Sequence, residues 1–378
     1  MNIKNIFFYI GMLIQLFYTT RIITINSYEN SMVYILLIIL CFSCTICLSG
    51  FKRKEFKLFC ILILLSIVHM FVVNDTNLLR LVLMLYAGRK MKVQDLKKYF
   101  AVSYLVVFVL VVLLSLYTDF GDVYQTGVWR TNVGWETRYT LGFDGATRMM
   151  FVWTCCIISI QLLTNTVNVI RDIIFLIISV YLFTISVSYT GIITSVFVII
   201  VPYIVSYWVK KKSSVLIKYF IRGSLLFVLS LTMLAAAIDI SKTSFGLFLN
   251  GRTGALHYLL SNGIYPSFLG RGIPEGIRGL DNSYFYCSYI LGIIPMCFML
   301  AAIWQLGNVY YKNKDIMGCS CTVCFILIAY VTQTFEHPYL NYFIFLIMEN
   351  WNSFITGIST NVLLEKNARK RILIKFGK

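Results

Sequence analysis

Apolar runs, most of them close to the length that crosses a bilayer, take up the larger part of this chain. A transmembrane helix needs roughly 20 apolar residues. Counting on that basis gives twelve candidate spans: 5–24, 31–50, 56–73, 77–88, 99–117, 147–164, 172–189, 191–209, 216–238, 284–304, 316–334 and 338–357. The fourth is short and contains Arg80. Between the seventh and eighth lies only Tyr189-Thr190-Gly191, read as a tight turn in which glycine eases the reversal. A soluble protein of 378 residues could not hide a composition that is 59% hydrophobic and 13% charged, whereas lipid solvates it. The expected fold class is an all-α polytopic membrane protein of about twelve transmembrane helices. Residues 1–378 form one integral membrane domain, and the N-terminal run, lacking an A-x-A-like cleavage site before Arg21, is read as an uncleaved first span.

The charges test this reading. With the N-terminus in the cytoplasm, the inner segments 1–4, 51–57, 89–98, 165–172, 210–222, 305–315 and 358–378 hold 24 of the 33 cations. That bias is what the positive-inside rule requires, and it puts both termini inside. It also accounts for the net charge of +17 without nucleic acid as a partner. The 11 cysteines sit in apolar segments or at their edges. Cys319-Ser-Cys321-Thr-Val-Cys324 has no histidine or second cysteine pair near it in sequence, so it reads as small apolar filler and no metal site is expected.

The type of cation differs between the two sides. Inner cations are 18 lysines and six arginines, whereas the outer ones are seven arginines and Lys242. Topology is indifferent to that choice. Anion binding is not, because guanidinium offers a rigid fork that matches phosphate bidentately. An outer anion site is one reading; surface pairing with outer acids is the other. Two outer segments carry the residues in question. Segment 118–146 mixes Trp129 and Trp135 with Arg130, Arg138 and four acids, and Arg148 follows it. That mixture suits a sugar site, though tryptophans also form interfacial belts. Segment 239–284 is the longest polar interruption and holds Arg252, Arg271, Arg278, Glu275, Asp281 and eight glycines. Its run Ala255–Leu260 is apolar enough for a short helix at the membrane surface. Gly270-Arg271-Gly272 and Gly276-Ile277-Arg278-Gly279 set arginines between glycines, so that amides and guanidinium together could cradle an anion.

The second segment resembles a known one. Arg252 and Gly263 with ten residues between them, then Leu269-Gly270-Arg271-Gly272, then Asp281-Asn282-Ser283-Tyr284 opening a span, look like the large outer loop of the Wzy-type O-antigen and capsular polysaccharide polymerases, relatives of the O-antigen ligases. Val187-Ser188-Tyr189-Thr190-Gly191 resembles that family's s-x-S-R-[GT] turn, with tyrosine where arginine is common. Asp281 stands where the family often has histidine, and Arg130 precedes Gly142 with one residue more than an arginine-x10-glycine element would have. The resemblance implies a GT-C-like protein of the bacterial inner membrane with its catalytic loop outside the cytoplasm.

An outer active site has no access to cytosolic nucleotide sugars, so its donor must arrive activated on a lipid diphosphate. The resemblance implies transfer of a growing glycan from a polyprenyl-diphosphate carrier to the next lipid-linked repeat unit, with inversion. Its partners would be the polyprenyl-diphosphate-linked oligosaccharide, membrane lipid and a chain-length regulator protein. Arg252, Arg271 and Arg278 are the candidates to neutralise the leaving diphosphate, in place of a metal and without a cofactor. Glu275 and Asp281 are the candidate bases or hydroxyl acceptors, with His257 a further one. Asn282, Tyr284 and Tyr286 open the next span, where the tyrosines could line the acceptor groove. Arg80, inside a span, either reaches a carrier phosphate or snorkels to one face. Two rivals stand beside this reading: a glycan ligase, and a lipid or polysaccharide transporter with its polar site at mid-membrane.

Overall fold

The structure, a computed structural model, describes residues 2–19, 28–118, 123–130, 134–143, 145–211, 214–239, 243, 252–272, 282–332 and 341–351. Among them are fourteen helices and one two-stranded sheet. The first five helices are α1 (Ile3–Thr19), α2 (Tyr28–Ser49), α3 (Arg53–Val73), α4 (Asn77–Gly88) and α5 (Val93–Tyr117). A hairpin of β1 (Tyr124–Arg130) and β2 (Gly134–Tyr139) follows. Then come α6 (Ala146–Thr164), α7 (Val169–Ser186), α8 (Tyr189–Lys210), α9 (Ser214–Ala237), α10 (Arg252–Ser261) and α11 (Ser283–Ile290). The described chain ends with α12 (Ile293–Asn313), α13 (Ile316–Val331) and α14 (Tyr342–Glu349).

Eight of these helices are long and apolar enough to cross a membrane: α2, α3, α5 to α9, and α12. The chain is thus a multi-pass helical membrane protein. The shorter apolar helices α1, α4 and α13 pack among them. At about 1.5 Å per residue, the 12 residues of α4 rise about 18 Å, well short of a bilayer core of about 30 Å. Burial orders the bundle: 78% of the apolar window of α6 is inside the protein against 11% of that of α3. Helices α6 and α13 form the centre, and α3 lies at the periphery with its side chains toward lipid.

Local sequence sets the helix ends. Asn74, Asn165 and Lys314 close α3, α6 and α12 in the left-handed conformation. Asn168, Ser188 and Asp315 cap the next helices, each accepting a first-turn amide. The α7–α8 reversal differs from the sequence reading. It occurs at Val187–Ser188, and Gly191 already lies in α8. Its missing side chain leaves room for Met150 of α6, so this glycine permits a close helix crossing and is not part of the turn.

Some of the charges in the bundle are matched in pairs. Lys97 Nζ lies 3.0 Å from Glu349 Oε1, and Tyr310 donates to the other carboxylate oxygen at 3.5 Å. The Arg89 guanidinium sits 3.6 Å from Glu55 and 4.4 Å from the Phe51 ring centroid, and donates to the Tyr86 and Gly50 carbonyls. Burial lowers the Arg89 pKa from its usual value, while Glu55 opposes the shift. Lys90 donates to the Ser49 and Gly50 carbonyls at 3.0 and 3.1 Å, satisfying the end of α2. Arg80, 5% exposed, bonds Asn77 and reaches Gln15 at 3.5 Å, and its guanidinium carbon lies over the Tyr18 ring, 5.2 Å from the centroid. The cysteines of α13 are buried free thiols.

Two elements were not legible as such. Segment 118–146 contains the hairpin, with Trp129 paired to Trp135, Gln125 to Arg138 and Arg130 to Gly134. The run 284–304, read as one span, is two helices broken at Leu291-Gly292.

Candidate functional site

The break between α11 and α12 is the centre of the arrangement. Gly292 adopts φ +96°, which turns the chain between the two helices. A break of this kind leaves the last carbonyls of α11 and the first amides of α12 without intrahelical partners. In a membrane protein those groups need internal ones. The segment 264–272 supplies them. The Ser267 carbonyl accepts from Ile293 N at 3.0 Å and the Phe268 carbonyl from Ile294 N at 3.2 Å. The Arg271 amide donates to the Tyr289 carbonyl at 2.9 Å. The Ile290 carbonyl accepts from His69 Nε2 of α3 at 2.7 Å.

Two glycines let the backbones meet. A Cβ on Gly292 would lie 2.5 Å from both Gly270 N and the Phe268 carbonyl oxygen. A Cβ on Gly270, at φ +88°, would run into the Ile290 carbonyl. A Cβ on Gly272, at φ +75°, would meet nothing within 4 Å among the described residues. The Gly-Arg-Gly element is therefore split in function. Its first glycine is packing, its amide at 271 is already bonded, and the guanidinium is presented outward. The Arg271 amide, donated to the Tyr289 carbonyl, is therefore not free to join the expected cradle. Arg271 is exposed, and its Nη1 donates to the Tyr265 carbonyl at 3.3 Å.

The rest of the segment is fixed by α10. Leu256 and Leu259 pack with Ala235 and Ala236 of α9 and with Phe285 and Tyr289 of α11. Gly263 closes α10 at φ +71°, where Ile264 N donates to the Leu259 carbonyl at 2.9 Å. The Tyr289 hydroxyl then donates to the Ile264 carbonyl. Tyr258, Tyr265 and Phe268 are 56%, 61% and 71% exposed, an aromatic fringe suited to an interface between lipid and water.

The sequence-derived residues fall into three groups. Arg271, His257, Asn282 and Tyr284 come together around α10 and α11. His257 Nδ1 lies 3.2 Å from the Ala236 carbonyl, so it bridges α10 to the end of α9. Asn282 caps α11 by accepting from Phe285 N at 3.2 Å, and donates to Thr232 at 3.1 Å. Tyr284 is 3% exposed with its hydroxyl donated to the Ile326 carbonyl at 2.9 Å. It anchors α11 to α13 and does not wall a groove. Arg80, Arg138 and Arg148 belong to other elements: α4, β2 and the first turn of α6. Glu275, Arg278, Asp281 and the side chain of Arg252 lie outside the described residues, as do the side chains of Trp129, Arg130 and Trp135.

His69 was missed by sequence reasoning. It is fully buried on a lipid-facing helix, and its partner is 221 residues away. A histidine in an apolar span next to a glycine-rich loop's contact surface is the signal that could have drawn attention to it. Since a carbonyl can only accept, Nε2 carries the proton, and Nδ1 is buried with no hydrogen-bond partner among the described residues. Chemically, the arrangement offers, among the described residues, one exposed guanidinium on a backbone held from both sides, suited to binding an anionic oxygen group.

No family model matches this chain, and no curated protein or solved structure does either.

Proposed function

We propose that this protein is a polysaccharide polymerase. It transfers a growing glycan from a polyprenyl-diphosphate carrier to the next lipid-linked repeat unit on the outer face of the bacterial inner membrane. The observation that carries the reading is Arg271, exposed on a segment hydrogen-bonded to both sides of a broken helix. A guanidinium held in this way can meet a diphosphate without first ordering its own backbone, which is the preorganisation that leaving-group stabilisation needs. The charge partition, in which 77–88 counts as a short crossing between the cation-rich segments 51–57 and 89–98, puts both termini in the cytoplasm and that segment outside. Arg252 and Arg278 join Arg271 on the diphosphate, and Glu275 or Asp281 takes the acceptor hydroxyl proton. The nucleophilic hydroxyl attacks the anomeric carbon, the bond to the diphosphate oxygen breaks, and the carrier diphosphate leaves with inversion.

The break between α11 and α12 favours a second reading, a transporter of the same lipid-linked glycan, because transporters use discontinuous helices for their substrate sites. In such sites the freed backbone groups face the cargo. Here Tyr289 and Ile290 carbonyls and Ile293 and Ile294 amides are bonded to the protein itself, which supports the enzyme over the transporter. The test is chain extension by purified protein given lipid-diphosphate repeat units. A ladder of longer glycans is expected. Absence of a ladder with an authentic repeat unit, together with its movement across a liposome bilayer, would replace the polymerase by the transporter.

A further inference from the structure

At the other end of the α9–α12 pair lies a second cationic arrangement that the proposed reaction does not use. Helix α9 begins just after Lys210-Lys211-Lys212, and α12 ends beside Lys312 and Lys314, so these ends share the lysine-rich face that the charge partition assigns to the cytoplasm. About one to three turns from these ends, a groove opens between the two helices, lined by Lys218, Arg222, Trp304 and Asn308. It exists because the helices approach closely at Gly307, where a Cβ would lie 2.7 Å from Ile221.

The groove's cation is positioned. The Arg222 guanidinium carbon lies 4.4 Å from the Trp304 ring centroid, and Nη2 donates to Asn308 Oδ1 at 3.0 Å. Stacking and hydrogen bonding thus fix the plane of the fork. Its Nε is buried with no hydrogen-bond partner among the described residues. Lys218 is one helical turn away on the same face. Neither cation has a carboxylate within ion-pair distance among the described residues, in contrast to the matched pairs of Arg89 and Lys97. A half-buried guanidinium with no carboxylate partner among the described residues, and a lysine beside it, suit an anion with several oxygens.

The surroundings say where that anion comes from. Trp304 is 40% exposed on the outside of the bundle, the place of an interfacial tryptophan. Continuing along α9 from Arg222, the same stripe presents Leu226 at 59% and Met233 at 68% exposure. Cations at one end of an open, apolar stripe match a phosphate with acyl chains below it. Basic pockets between transmembrane helices on the cytoplasmic side bind anionic headgroups by this means. We propose that the α9–α12 groove binds the headgroup phosphate of an anionic membrane phospholipid, with Arg222 and Lys218 on the phosphate and Trp304 at the interface.

The test reads Trp304 fluorescence in purified, detergent-solubilised protein. The chain has six tryptophans, so the Trp304 component is defined by difference from Trp304→Phe. The probe is phosphatidylglycerol with brominated acyl chains; brominated phosphatidylcholine and inorganic phosphate are the controls. Quenching of that component by phosphatidylglycerol is expected to saturate. Its apparent affinity should fall about tenfold or more in Arg222→Gln, the effect of losing charge-assisted hydrogen bonds. Lys218→Gln, at a site where folding is not at stake, should weaken binding in the same direction. Equal quenching by brominated phosphatidylcholine would overturn the proposal, as would unchanged binding in both variants. Displacement of the lipid by inorganic phosphate at equal concentration would make it a free-phosphate site and also overturn the lipid assignment.

Discussion

Gly292→Ala tests the broken helix directly. The backbone there is at φ +96°, where a non-glycine residue costs about 1–2 kcal/mol. The added Cβ would also lie 2.5 Å from Gly270 N and the Phe268 oxygen and 2.6 Å from the Leu269 carbonyl carbon. These are all backbone atoms, so no side chain can swing away, and overpacking of this kind costs about 1–3 kcal/mol. Together the substitution should destabilise by about 2–5 kcal/mol. Two internal controls separate the contributions. Gly272→Ala, at φ +75° with nothing within 4 Å of the new Cβ among the described residues, should carry only the conformational cost of about 1–2 kcal/mol. Gly223→Ala, inside α9 with nothing near it, should stabilise by up to about 1 kcal/mol. The assay is thermal unfolding in one detergent, scored as the order of Tm values. Gly292→Ala should be lowest and Gly223→Ala highest. A Gly292→Ala protein as stable as Gly272→Ala would refute the backbone contact between Gly270 and Gly292.

Other variants probe the same framework. His69→Phe leaves the Ile290 carbonyl unpaired and should cost about 1–3 kcal/mol, with faster hydrogen exchange at the Arg271 amide; His69→Gln, which keeps a donor, should recover part of it. Lys97→Met alone or Glu349→Leu alone should destabilise by about 3–5 kcal/mol in thermal unfolding, because each strands one buried charge. The double variant should lie near wild type, and additive single losses would contradict the pairing. Tyr284→Phe should cost about 0.5–1.5 kcal/mol and leave chain extension intact, since its hydroxyl is bonded to the Ile326 carbonyl.

The sequence made the helical, multi-pass character legible because lipid imposes one rule on every residue of a span. Segments such as 56–73 and 147–164 end in the structure where apolar composition ends, at Val73 and Thr164. The helix over 255–260 was also readable, and α10 covers it. The break at Leu291-Gly292 was not readable. It lies in an unbroken apolar run, and its cause is distant: carbonyls at 267 and 268 and a histidine on α3 satisfy the groups that a continuous helix would have satisfied itself. The hairpin was hidden for a different reason. A register such as Trp129 with Trp135 depends on pairing across the turn, which a segment read as an aromatic and charged loop does not reveal. Of the candidate site, Arg271 was legible from its flanking glycines. The separate work of those two glycines was not, because one packs against a backbone brought by the fold and the other has no such neighbour among the described residues.

The most direct test of the account is chain extension by Arg271→Lys beside wild type, with lipid-diphosphate repeat units as substrate and matched amounts of folded protein. The substitution keeps the charge and removes the bidentate fork. A rate at least about tenfold below wild type is expected, the loss of charge-assisted hydrogen bonds to the leaving diphosphate. A wild-type ladder at wild-type rate from Arg271→Lys would contradict the role assigned to this guanidinium.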